Sequence, residues 1–481
     1  MTTLVLTGTL YPGTSTEPYA YLPFDVPEGT TRLELHFRHA EGNIIDLGVL
    51  DPHFRTDVYP ETIGFRGWSG GARDSFFITQ AEATPGYLAG ELLPGTWQVM
   101  LGLYRVKEGG CSYRMEIRLE SAPQPERAPT PVQAKPEKGA GWYAADLHSH
   151  THYSDARGSL ENLLRVAEGR GLEILAVTDH NTVSHHAALA TAETPLLLVP
   201  GQEVTTSRGH ANVWGDIGWA DFRLRGAEDV SRLVAQVKAR GGLFSINHPK
   251  NTGYNWVFAL PERFDCLEVW QMAWVTRNWE SVALADALLK AGRRFTFVGG
   301  SDRHQPGFPD TDPLCKQVGT PTTWLHLDAF TLDAALDALR NGKTCVSEGP
   351  QGPRLELRVG GAAQGGVVSR KSPHPITATV IGAKGDMLRY VADGIVVREV
   401  EISGDGFIDN TLTSNSFTDT WFWQPEGHSL RAEIIAERKS GEKMTRLELA
   451  AFGLTLTDQE LNALLALPRL RALTSPVFVA G

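Results

Sequence analysis

Ala144-Ala-Asp-Leu-His-Ser-His150 decides how the middle of this chain is read. A short apolar run breaks off into alternating polar residues. On extended backbone His-x-His turns both imidazoles to one side, because strand side chains alternate with period two. Asp155 follows closely. Other apolar runs end the same way: Ile174-Leu-Ala-Val177 leads into Thr178-Asp-His180, and Leu196-Leu-Leu-Val199 into Gly201-Gln-Glu203, with His210 expected on a short loop beyond. Leu243-Phe-Ser-Ile246 leads into Asn247-His-Pro249, and Phe295-Thr-Phe-Val298 into Gly299-Gly-Ser-Asp-Arg-His304. Each cluster stands just past the C-terminal end of an expected strand, the face on which β/α-barrel enzymes gather catalytic groups.

Between these runs the apolar period changes to that of amphipathic helices, expected at Leu160–Gly169, Ala227–Arg240, Trp279–Ala291 and Leu332–Asn341. Strands alternating with helices predict a parallel sheet or a closed barrel over residues 142–349. Upstream, residues 1–122 alternate apolar and polar positions in short runs such as Arg32-Leu-Glu-Leu-His-Phe37 and Thr96-Trp-Gln-Val-Met-Leu-Gly-Leu103, the pattern of an antiparallel sandwich. Residues 123–141 are rich in proline and charge and read as a semi-stiff linker. From 350 to 481 alternation returns, as in Arg354-Leu-Glu-Leu-Arg-Val359, predicting a C-terminal β domain with one late helix near Asp458–Leu465. The expected architecture is therefore α/β: a β/α barrel flanked by N-terminal and C-terminal β-sandwich-like domains.

The chain has 481 residues, 42% apolar and 21% charged, ordinary values for a folded protein of two or three domains. Its 45 basic against 56 acidic residues give a net charge of −11, which argues against broad electrostatic capture of nucleic acid or an anionic membrane. No apolar run approaches the roughly 20 residues needed to cross a bilayer. The first residues lack the basic and apolar regions of a signal peptide. Cys111, Cys266, Cys315 and Cys345 are far apart with no CxxC pair, so neither a zinc finger nor a disulfide framework is expected, and a cytoplasmic location is.

His148, His150, His180, His210, His248 and His304, with Asp155, Glu203 and Asp302, bring six imidazoles and three carboxylates to one barrel mouth. Burying that set without a cation is costly, and mixed nitrogen and oxygen ligands suit zinc, manganese or iron. Nine ligands at roughly three to five per ion hold two or three divalent metals with positions left for water. Other histidines carry blander readings: His185 and His186 are expected on an exposed helix, and His152 is either a solvated loop residue or a proton shuttle. Asp179 is expected to cap a helix or to support the ligands from behind.

The ordered set His-x-His, Asp, Asp-His, Glu, His, His, Asp-x-His resembles the PHP (polymerase and histidinol phosphatase) superfamily. With the leading β domain, Gly209-His-Ala-Asn-Val-Trp-Gly215 and the terminal Thr474-Ser-Pro-Val-Phe478 strand, it looks most like the CehA/McbA-type metallohydrolase branch. The resemblance implies a distorted (β/α)7 barrel and a two- or three-metal site, with the nine residues above as ligands and Glu203 as the bridge. The residue inside the last Asp-x-His is often small in that family; here it is Arg303.

Such a site implies a metal-dependent hydrolase in which a metal-bridging hydroxide attacks the substrate with no protein nucleophile, since two ions about 3.5–4 Å apart lower the pKa of a shared water toward about 7. Asp302, Asp155 or His152 could carry protons to the leaving group, with Arg303 assisting in catalysis. Arg303, Arg157, Lys250 and Arg277 are the expected grip on an anionic substrate, because guanidinium matches phosphate oxygens in pairs; Arg208 also flanks a ligand motif. Trp214, Trp256, Trp270 and Trp274 could wall a pocket or simply fill the core. The leading expectation is a phosphoesterase (EC 3.1) acting on small organic phosphates or nucleotides. Nucleic acid is not expected beyond a nucleotide or short oligonucleotide, nor is a membrane partner. The alternatives are a carbamate, ester or amide hydrolase using the same site, and a non-catalytic binding protein with a structural barrel.

Overall fold

The computed structural model describes residues 1–14, 17–122, 138–252, 255–305, 312–403 and 416–480. Of the expected linker at 123–141, residues 123–137 lie outside the described residues. The chain is mixed α/β, dominated by sheet. The four central helices fall where periodicity puts them, at Leu160–Gly169, Ala227–Ala239, Asn278–Lys290 and Leu332–Arg340. Two begin with side-chain caps, Ser159 accepting from Asn162 N and Thr331 from Ala334 N.

A 15-stranded sheet runs through the centre. In the central region parallel pairing forms two runs, Gly141–Asp146 with Ile174–Val177 and then Leu197–Thr206, and Leu243–Ile246 with Cys266–Gln271 and then Thr296–Gly300; a further parallel pair joins Val367–Ser369 to Val477–Ala480. Between them Gly209–Trp214 pairs antiparallel on both sides, so the expectation of an all-parallel sheet is corrected. Only Ser207 and Arg208 separate this strand from its predecessor, and so short a connection returns the chain antiparallel. The ends of the run approach one another through side-chain hydroxyls rather than a ladder. Gly299 N donates to Thr323 Oγ1, Thr344 Oγ1 donates to Phe297 O, and Phe297 N donates to Ser475 Oγ.

Residues 1–122 form two four-stranded antiparallel sheets, one of Thr2–Leu10, Cys111–Glu120, Arg32–His39 and Ser75–Thr79, the other of Tyr19–Val26, Gly95–Arg105, Ile44–Leu50 and Phe65–Gly70. They share a core that includes Leu33, Leu35, Leu47, Trp97 and Ile117. The outer face of the second sheet packs on the central region: Leu50, Phe54, Phe65, Trp68 and Met100 join one buried cluster with Trp219 and Phe222. Phe65 stacks on Trp219 at 4.3 Å between ring centres. Arg223 locks the seam, pairing with Asp221 at 2.7 Å and donating to the carbonyls of Thr56 and Val58. Beyond residue 350, Leu470–Thr474 pairs antiparallel with Thr344–Ser347, so C-terminal strands continue the central sheet. A separate four-stranded sheet holds Arg354–Val359, Ala362–Ala363, His374–Ile381 and Ser416–Trp423.

Candidate metal centre

The metal-ligating residue types converge at one end of the central sheet, each delivered by a strand terminus or hairpin. Glu203 sits in the middle, fully buried. Its carboxylate lies 3.2 Å from His148 Nε2, 3.7 Å from His150 Nε2, 2.7 Å from His180 Nδ1, 3.3 Å from His210 Nδ1 and 3.4 Å from His248 Nε2. Asp302 approaches His148 Nε2 at 3.3 Å and His150 Nε2 at 2.9 Å. Asp155, half exposed, closes the outer edge, 3.4 Å from His304 Nε2 and 3.6 Å from His180 Nε2. Three groups have donor atoms within 4.8 Å of one another: His150, His180 and His304; His148, His150 and Asp302; Glu203, His210 and His248.

Local backbone makes this convergence possible. Leu197–Thr206 extends past the expected strand end, so Glu203 lies within it, and His210 lies in the next strand opposite Thr205 instead of on a loop. Hairpin pairing then turns Glu203, Thr205 and His210 to one face. Gly300 admits the His-x-His segment: a Cβ there would fall 2.3 Å from His148 Cβ. His248 and Asp302 adopt φ of +28° and +48°, conformations that non-glycine residues hold only at a cost of about 1–3 kcal/mol each. Asp146 is not among the converging acids; it accepts from the backbone N–H of His148, Ser301 and Gly319 and fixes the two ligand segments against each other.

The donor set fits divalent cations. Burial disfavours a charged His148, yet Asp302, Glu203 and Glu268 together lift its pKa well above the usual imidazole range. His180 behaves alike: burial opposes, but Glu203, Asp155 and Asp302 raise it to about 9. In contrast, burial and the neighbouring His304 and His180 push His150 down to about 4. Four acids thus force protons onto some rings while others resist them, a conflict that a positive ion between them removes. His148 Nε2 and His150 Nδ1 are buried with no hydrogen-bond partner among the described residues, and the Nε2 atoms of His180 and His304 face each other at 3.0 Å.

Several supporting groups escaped the sequence reading. Glu268 accepts from His148 Nδ1 at 2.9 Å and from His248 N at 2.8 Å, which leaves His148 Nε2 directed at the centre. Asn247 Nδ2 donates to Glu203 at 2.8 Å, and Gln271 Nε2 donates to Asp302 at 2.6 Å. Glu268 and Gln271 lie in the strand Cys266–Gln271, where two polar residues inside an otherwise apolar run were the available signal. Asp179 holds the 151–154 loop from behind, accepting from Thr151 N, Thr151 Oγ1 and Ser154 Oγ.

The expected cationic grip does not assemble. Arg303 does not line the cavity that Asp302 and His304 line; its guanidinium pairs with Asp312 at 3.0 Å and donates to Gln305 O. Lys250 is buried with its three donors committed to Gln271 O, Thr276 Oγ1 and Asn278 Oδ1, and burial lowers its pKa to about 7. Arg277 pairs with Glu280. Arg157 is exposed, and its backbone N–H donates to His304 O. His152 stacks on Tyr153, and its carbonyl accepts from Arg73, outside the cavity lining. Trp214, Trp270 and Trp274 fill cores, and Trp256 packs on Phe258.

Above the cluster opens a cavity of about 950 Å³. Its floor includes Asp155, His180, His210, His248, Asp302 and His304, and its far wall comes from residues 1–122, including Tyr19, Asp46, Trp68 and Tyr104. Arg208 is the only arginine or lysine among the described lining residues; it also donates to Arg225 O.

His185 and His186 depart from the exposed helix expected for them. His185 is fully buried, with its Nε2 3.1 Å from Val177 O, and His186 Nε2 lies 3.0 Å from Gly201 O. Burial pushes the pKa of His185 from 6.5 down to about 4. The unfolded chain therefore binds more protons between these values, so this contribution to stability is complete above about pH 6.5 and lost toward pH 4. It amounts to about 3 kcal/mol. Denaturant unfolding of metal-stripped protein from pH 7 to pH 4.5 is expected to show a shallower loss in His185→Gln than in the parent; equal slopes would remove His185 as the cause.

Residues 146–241 match the PHP domain family model. A 119-residue stretch is 31% identical to an uncharacterized protein of Methanocaldococcus jannaschii, spanning 22% of this chain and 67% of that protein. Among solved structures, a two-domain protein from Bacteroides vulgatus, described as containing a predicted PHP-like metal-dependent phosphoesterase, is 17% identical. That alignment covers 64% of this chain and 95% of that one with a TM-score of 0.35. An amidohydrolase from Chromobacterium violaceum is 15% identical over 34% of this chain and 88% of its own, with a TM-score of 0.24. The matched segment opens at Asp146 and carries the His-x-His, Asp155, Asp-His, Glu203 and His210 part of the cluster, and this chain belongs to the PHP domain family.

Proposed function

We propose that this protein is a metal-dependent hydrolase of small-molecule esters, with phosphoesters as the leading substrate class. His148, His150, Asp155, His180, Glu203, His210, His248, Asp302 and His304 would hold two or three divalent ions of zinc, manganese or iron, with Glu203 bridging. The observation that carries this reading is the buried Glu203 carboxylate ringed by five imidazoles. When bound, such ions polarise the electrophile's oxygen and lower the pKa of water toward about 7. The chain's own groups do the rest. Glu268, Asn247 and Gln271 hold the ligands in one orientation, and the second N-terminal sheet roofs the cavity against bulk water. Asp155, half exposed on the rim, is the acid best placed to pass a proton to the leaving group. A distorted (β/α)7 barrel of the CehA/McbA branch, with β-sandwich domains before and after it, is part of the same proposal.

A carbonyl electrophile in a carbamate, ester or amide is the second reading. It is favoured by the commitment of Arg303, Lys250 and Arg277 to other partners, which leaves a phosphate dianion with little cationic support from the chain.

Metal-loaded protein assayed with p-nitrophenyl phosphate, bis(p-nitrophenyl) phosphate and a naphthyl carbamate separates these. Faster turnover of either phosphate ester supports the first reading, and carbamate turnover alone supports the second. Full metal content without turnover of any of the three overturns both for these classes and returns the barrel to a structural role.

A further inference from the structure

One acid in the cavity has no part in the centre just described. Asp46 lies in Ile44–Leu50, whose Ile45, Leu47 and Val49 point into the N-terminal core. Alternation turns Asp46 the other way, into the cavity shared with Asp155, His180 and Asp302. Among the described residues its carboxylate accepts no hydrogen bond and has no lysine or arginine within ion-pair distance. Other acids have partners: Asp221 pairs with Arg223 and Asp419 with Arg398, while Asp146 accepts three backbone N–H groups. Burial, helped by the charge of Asp155 and opposed by His180, raises the Asp46 pKa to about 7, the response of an acid without a counter-ion.

Its surroundings are kept open and aromatic. A Cβ on Gly102 would fall 2.9 Å from both Asp46 Oδ2 and Trp68 Cη2. Positions 70 and 71 are also glycines, with built Cβ atoms 3.8 and 3.6 Å from Asp46 Oδ1. The carboxylate and the indole therefore border the same space. Tyr19 meets Trp68 edge to face at 6.2 Å, and Tyr104 lines the same wall.

We propose that Asp46, with the Trp68 and Tyr19 rings, forms a subsite for an ammonium group carried on the leaving group of the substrate. A cation is what the pieces share: it neutralises the unmatched carboxylate and is attracted to aromatic rings. A neutral hydroxyl would satisfy the acid but gain nothing from the rings, and a second phosphate would be repelled. The subsite faces the metal-ligand floor across the cavity, so the substrate class is an ester of an amino alcohol, its electrophilic end at the floor and its ammonium end at Asp46. This deepens the hydrolase reading above and rests on the cavity being the place where substrate binds.

Binding separates the two questions. Metal-loaded protein is titrated by calorimetry with choline and with its uncharged isostere 3,3-dimethylbutan-1-ol. Choline is expected to bind about tenfold tighter, and Asp46→Asn and Asp46→Ser are each expected to cut that preference to the part the rings supply, about twofold to threefold, with metal content and melting temperature retained. Equal affinity for the two probes, binding of neither, or a preference that survives undiminished in both variants overturns the subsite. A choline preference reduced in the variants, combined with no turnover of phosphate or carbamate esters, upholds the subsite and overturns the catalytic reading instead.

Discussion

Glu203→Gln is expected to strip the protein of metal and of turnover together while leaving a folded chain. The amide keeps the volume of a fully buried side chain and removes the charge on which five imidazoles converge. Loss of a partner that merely orients a metal ligand costs roughly 10–100-fold in metal affinity or activity; loss of the bridging carboxylate should exceed that range. Glu203→Ala adds a cavity and strands the charges that now answer the carboxylate, a defect of about 3–5 kcal/mol for broken buried ion pairs. Metal per chain by elemental analysis and kcat for the best ester substrate decide the matter. A Gln variant with full metal content and near-parental kcat would refute the bridging role.

Removal of metal by a chelator is expected to abolish turnover and lower the melting temperature, with both restored by zinc, manganese or iron. A ligand bound to the folded state alone, at a free concentration 1,000 times its Kd, adds about 4 kcal/mol. Acid should act in the same direction, because ligating imidazoles must be neutral: activity and metal content should fall together as pH drops through about 6. Turnover by protein shown to be metal-free would defeat the account. Melting curves of stripped and reloaded samples supply the second readout.

The chemistry of the centre was legible because its side chains are conspicuous. Histidine and acid at the ends of apolar strands have no use in a core, so His148, His180, Glu203 and Asp302 declare themselves without coordinates. Three of the central helices were legible for a similar reason, each carrying an apolar stripe, whereas Asn278–Lys290 buries Asn278 and Ser281 beside Ala285 and Leu289. Arg438–Ala451 was not: its buried face is Gly441, Thr445, Glu448 and Leu449, and Glu448 is buried because it pairs with Arg469. A helix this polar overall, docked partly through an ion pair, gives a weak apolar signal to read. The cations failed in the same way. Whether Arg303 reaches substrate or Asp312 depends on a partner in an adjoining loop, and Lys250 is consumed by Gln271, Thr276 and Asn278. The strand carrying His210 was hidden by length, since a two-residue connection looks like a loop until pairing is known.

The seam sealed by Arg223 and the Phe65–Trp219 stack has a consequence for how substrate preference can change. The metal-ligating residue types and the opposite wall of the cavity come from distant stretches of the polypeptide that pack together at this seam. Substitutions along Ile44–Leu50 or Gly95–Arg105 can retune which molecules are admitted without touching a single metal-ligating side chain. On the proposed reading the front sheet would act as an exchangeable faceplate, and variation there would offer a route to new selectivity at constant chemistry.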